Sequence, residues 1–145
     1  MKQASVLLAI FILLLVNSCS DMKQKVLNSD EMMIRISEIG IDSVYLNEYI
    51  RILKEESEAS VRLEPGVISI YPMFQKENPT EIRILEIYAN KKDYESHLQT
   101  SHFKTYKSST LKMVKTLKLV DMEPIDINAM PKIFKKLDQT EIPKK

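Results

Sequence analysis

Apolar and polar residues alternate through "EMMIRISEIG" (31–40), with Met33, Arg35, Ser37 and Ile39 on one side and Met32, Ile34, Ile36 and Glu38 on the other. A period of two predicts a strand. The period then lengthens: Leu46, Tyr49, Ile50 and Leu53 form one apolar stripe, and Glu48, Arg51, Lys54 and Glu55 fill the solvated side of the same helix. Asp42 can cap that helix, and Pro65 followed by Gly66 stops it near Leu63. Two β-rich runs follow, "VISIYPMFQ" and "EIRILEIYA", joined by "KENPT", whose Asn-Pro pair favours a turn. They read as an antiparallel hairpin. Pro72 cannot donate a ladder hydrogen bond, which places its strand at an edge or at a bulge. In the second run Ile82, Ile84, Glu86 and Tyr88 share one face, and Arg83, Leu85 and Ile87 share the other.

Asn90 can cap a helix over "KKDYESHLQT", and Ser101 can start another over "HFKTYKSSTLKMV". A last strand, "KTLKLVDME", sets Leu117 and Leu119 against Lys118 and Val120. The order is strand, helix, strand, strand, helices, strand, which predicts an α+β, ferredoxin-like fold with an antiparallel sheet. Helices cover one face of such a sheet. The other needs its own cover, and a homodimer packed sheet on sheet would supply it.

Outside this region the pattern changes. Lys2 precedes an unbroken apolar run, Val6–Val16, too short to span a bilayer and suited to the hydrophobic part of an export signal. It ends in "LVNSC", which resembles a bacterial lipobox, with Cys19 as the residue to be lipidated. Cys19 is also the only cysteine, so no internal disulfide can form. The expected organisation is a lipoprotein signal peptide at 1–18, a lipidated tether at 19–30 and a domain at 31–123. Residues 124–145 form a proline- and lysine-bearing tail that wraps the domain or a partner loosely. A lipid anchor on Cys19 would place the protein at the cell envelope, on the periplasmic side or the cell surface.

Cleavage before Cys19 would take Lys2 with it and bring 21 basic residues against 20 acidic ones to formal neutrality. No basic face for nucleic acid is implied. Gly40 and Gly66 are the only glycines, which excludes a phosphate loop or dinucleotide fingerprint. The two histidines, His97 and His102, both lie in "HLQTSHF". They could serve a metal, but no third ligand stands near them in the sequence, so none is expected. His97 falls at the closing turn of one helix, whose end favours imidazolium. His102 falls in the first turn of the next, whose end favours the neutral ring. That asymmetry suits an acid and a base. Tyr94, His97, Leu98 and Ser101 share a helical face, and Tyr94 and Leu98 should meet the sheet, so His97 points inward. An inward Glu86 beside Tyr88 needs a hydrogen-bonding partner to offset its desolvation.

Residues 64–106, "EPGVISIYPMFQKENPTEIRILEIYANKKDYESHLQTSHFKTY", resemble the antibiotic biosynthesis monooxygenase domain family, in particular its small quinol monooxygenases. The pieces that carry the likeness are "EPGV", "EIYA" and "HLQTSHF", in that order and spacing, and it extends less specifically over 31–123. The resemblance implies a dimeric ferredoxin-like α+β barrel with a ligand pocket between sheet and helices. It further implies oxidation of a phenolic or quinol-like aromatic by molecular oxygen, with no flavin, metal or other cofactor. By that match His97, His102, Glu86 and Tyr88 fall on family-typical positions. Tyr94 on its helical face and Tyr71 by strand parity are further substrate contacts. The haem-degrading branch uses an Asn, Trp, His constellation, and this chain has no tryptophan. The leading expectation is a monooxygenase in which His97 or His102 is the base and Glu86 orients it. The alternatives are a non-catalytic lipid-anchored protein that binds a small hydrophobic ligand, and an isomerase of the same fold.

Overall fold

The computed structural model describes residues 29–138. The export segment, Cys19 and most of the tether lie outside the described residues. Strands β1 (Met33–Ile41), β2 (Val67–Phe74), β3 (Glu81–Tyr88) and β4 (Val114–Met122) form one antiparallel sheet in the order β2-β3-β1-β4. Helices α1 (Leu46–Leu63), α2 (Lys91–His97) and α3 (Ser101–Thr110) fall where the periodicity puts them, and α4 (Ala129–Asp138) lies in the tail. This is the ferredoxin-like α+β arrangement. Among the described residues no helix is long and apolar enough to cross a membrane.

Local chemistry explains most boundaries. The Asp42 side chain accepts from the Val44 N–H and opens a short 3-10 turn, Ser43–Tyr45, that leads into α1. β2, with its proline, lies at the edge of the sheet. Helix α4, which the hydrophobic pattern did not reveal, keeps Pro131 in its first turn, where the missing N–H has no helical acceptor to lose.

Ser37 and Ile39 of β1, Ile82, Ile84 and Tyr88 of β3, and Tyr49 and Leu53 of α1 are buried between sheet and helices. Each aliphatic side chain closed off this way contributes about 1.5–3 kcal/mol. Tyr49 carries a polar tip into the same layer, and its hydroxyl bonds that of Tyr106 on α3 at 2.7 Å. The opposite face of the sheet carries Ile34, Ile36 and Leu85 by the same alternation, and Tyr71, Met73 and Met122 are exposed.

One expectation fails on this sheet. β2 shifts register between Val67 and Ser69, so Val67 pairs with Tyr88 while Ile70 pairs with Glu86 and Tyr71 with Leu85. The extra residue exchanges the faces: Ile70 is buried and Tyr71 is 60% exposed on the far side. Uninterrupted alternation from Val67 would have turned Tyr71 inward.

Candidate active site

The cavity between sheet and helices has a volume of about 410 Å3, within the range of small-molecule sites. Leu117 and Leu119 line it while remaining about half exposed, which marks the β4 side as its mouth. Its walls differ in chemistry.

On the sheet side stands Glu86. Ser37 donates a short hydrogen bond to one carboxylate oxygen, and the Tyr88 hydroxyl donates to the other at 2.9 Å. Burial, reinforced by the Glu86 charge, pushes the Tyr88 phenol well above its ordinary range, so it remains a donor. Tyr94 packs edge-on against Tyr88, with ring centroids 5.2 Å apart, and carries the Arg35 guanidinium 4.8 Å from its own centroid. Arg35 is held in turn by Asp121 at 2.7 Å.

On the helix side one group comes from within α1 and the others from the ends of three helices. Glu56 lies on the buried stripe of α1 with Tyr49, Leu53 and Ser60, and the Ser60 hydroxyl donates to its Oε1 at 2.8 Å. Burial raises the Glu56 pKa despite the opposing pull of Ser60 and the histidines. Glu64 is the residue that ends α1. Asn90 caps α2 through the Asp93 N–H, and His97 is that helix's last residue. Gly66 lets α2 approach α1, since a Cβ there would collide with the Asp93 side chain. Thr100, rather than Ser101, caps α3: its hydroxyl donates to the His97 carbonyl at 2.8 Å and accepts from the Phe103 N–H. His102 is therefore in the first turn of α3, as expected.

These ends converge on one oxygen. Glu64 Oε1 lies 3.0 Å from His97 Nδ1 and 2.5 Å from His102 Nε2. His97, 2% exposed, has its other nitrogen 3.7 Å from Glu56 Oε1, with Phe103 edge-on at 4.7 Å. Both rings therefore meet one carboxylate oxygen as well as a helix end.

Glu86, Tyr88, Tyr94 and His97 line the cavity together. His102 does not; it stands behind His97 and reaches it through Glu64. Glu86 bonds neither histidine; its oxygens accept from Ser37 and Tyr88, and the carboxylate beside His97 Nδ1 is Glu64. Nor is a third ligand missing: Glu64, His97 and His102 present ligating atoms all within 4.8 Å of one another. Glu56 and Glu64 are not among the residues that the sequence pattern singles out. A carboxylate on the apolar stripe of a helix was the available signal for the first. For the second it was an acid at a helix C-terminus, where the dipole disfavours it.

The sequence profile of the antibiotic biosynthesis monooxygenases matches residues 32–109. The chain belongs to that family. Among solved structures it is similar to a provisionally named antibiotic biosynthesis monooxygenase from Bacteroides thetaiotaomicron at 48% identity, covering 68% of this chain and 94% of that one, with a TM-score of 0.68. A provisionally named monooxygenase from Lactobacillus acidophilus matches at 26% identity over 65% of this chain and 45% of that one, with a TM-score of 0.64. A Nitrosomonas europaea protein at 20% identity, covering 67% of this chain and 93% of that one with a TM-score of 0.63, shares the fold. No curated protein matches.

Proposed function

We propose that this family member is a cofactor-independent monooxygenase that oxidises a quinol-like or phenolic small molecule with molecular oxygen, and that His97 is its base. The observation that carries the reading is the pairing of His97 Nδ1 with Glu64 Oε1 beside a cavity of ring size. A carboxylate on Nδ1 holds the proton there and leaves the lone pair on Nε2. Nε2 stands 3.7 Å from Glu56, beyond a firm hydrogen bond and open to a substrate hydroxyl.

The chemistry asks little more of the protein. Nε2 accepts the phenolic proton, and the resulting electron-rich anion is the species that reacts with oxygen. One oxygen atom enters the ring and the other leaves as water, with all four electrons drawn from the quinol. Glu86, held by Ser37 and Tyr88, can accept a second substrate hydroxyl. Tyr94 and Phe103 supply apolar ring surface.

We further assign the chain to the cell envelope through a lipid on Cys19, with a sheet-on-sheet homodimer covering the exposed Tyr71, Met73 and Met122. Release from membranes by Cys19→Ser would support the anchor. For the activity, an oxygen electrode with a panel of hydroquinones and anthrones is decisive. Uptake that depends on substrate and disappears in folded His97→Gln supports the reading. Saturable binding without uptake overturns it in favour of a ligand carrier.

A further inference from the structure

We propose that Glu64, His97 and His102 form a site for a divalent transition-metal cation of the zinc type. Two imidazoles and one carboxylate are a donor set that holds zinc with a position left open. The three ligating atoms already lie within 4.8 Å of one another. Bonds of about 2.0–2.1 Å in a tetrahedron put ligand atoms about 3.3 Å apart, so side-chain shifts of at most about 1.5 Å would seat the ion.

The surroundings of His97 also suit a cation. A neutral imidazole has one N–H, yet both His97 nitrogens face carboxylate oxygens, Glu64 at 3.0 Å and Glu56 at 3.7 Å. With the ring neutral, the nitrogen without the proton turns its lone pair toward one of these carboxyl groups. A cation between Nδ1 and Glu64 Oε1 receives both lone pairs and leaves Nε2–H for Glu56. That is the outer carboxylate that metal-bound histidines usually have. Glu64 and His97 stand at the C-terminal ends of α1 and α2, where a cation is favoured, and His102 at the N-terminal end of α3, where it is not. The His102 side chain is 17% exposed, which gives an ion a way in from solvent.

Occupancy has a consequence for the cavity. A ring bound through Nδ1 keeps its proton on Nε2 and cannot accept another there, so the cation and the base function exclude each other. That consequence rests on the reading of His97 as the base; the binding itself does not.

Calorimetric titration of zinc chloride into the full chain, stripped with chelator and dialysed, tests the site. One zinc per chain is expected, weakened at least tenfold in both Glu64→Gln and His102→Gln, with excess magnesium failing to compete. Circular dichroism checks that each variant is folded; should Glu64→Gln unfold, His102→Gln decides. No one-to-one binding, or binding unchanged in the folded variants, overturns the proposal. Because the readout is heat rather than turnover, the result stands whether or not any quinol is oxidised.

Discussion

The two walls of the cavity each hold a carboxylate, and they use it differently. Glu86 on the sheet is met by two hydroxyl donors, one per oxygen, and both partners lie on strands whose register fixes them. Glu64 on the helix side meets two imidazoles with a single oxygen, and the three residues come from the ends of three helices. The first arrangement gives each oxygen a hydroxyl donor and leaves a lone pair on each for a substrate. The second holds more lone pairs than protons when its rings are neutral, so a proton, a substrate or a cation changes it. Rigidity sits on the strands and chemistry at the helix ends.

The largest expected effect breaks the helix side. His97→Gln should lower turnover by about 10²–10⁴, or about 3–5 kcal/mol of barrier, in steady-state oxygen uptake. Glu86→Gln should chiefly change KM, so equal losses of turnover in the two variants would erase the distinction between the walls. Gly66→Ala drives a Cβ into Asp93 and pushes α2 away from the end of α1. Overpacking of this kind costs about 1–3 kcal/mol in denaturant unfolding, and here it should also loosen His97 from Glu64. Tyr88→Phe leaves Glu86 with Ser37 alone on the buried wall and should destabilise by about 1–2 kcal/mol. Removing the Tyr88 hydroxyl should leave the Glu64 contacts of both histidines intact.

The smallest effect sharpens the comparison through pH. The Glu56 pKa is raised by burial, so its stabilising contribution is complete below the unfolded value near 4.5 and is lost as pH rises through the folded value. Glu56→Gln keeps an oxygen for Ser60 and does not ionise. With chelator present, its melting temperature should match wild type near pH 4 and exceed it at pH 8. A gap that is constant with pH would show that Glu56 is not under strain.

Much of the fold was legible because each main element declares its period. The alternation in β1 and β3, the stripe from Leu46 to Leu53 and the stop at Pro65-Gly66 gave boundaries close to those observed. An inward His97 followed from its helical face. Glu64 was not legible in its role, since it stands 33 and 38 residues from the histidines it bonds, and only the packing of α2 against the end of α1 unites them. Tyr71 was misplaced because parity counts residues and cannot see a bulge. Helix α4 was hidden by Pro131, which reads as a breaker until it is found in the first turn.

The bulge near the start of β2 reaches further than one tyrosine. A pleated strand has two faces, so a one-residue insertion or deletion exchanges every side chain beyond it between them. Substitutions can tune the lining of this cavity one position at a time. A change in strand length of one residue would replace Ile70 in the lining by Tyr71 and turn Pro72 and Met73 over with it. Divergence among proteins of this fold has in that edge strand a way to acquire a different ligand in one step, and length differences there would be the trace to look for.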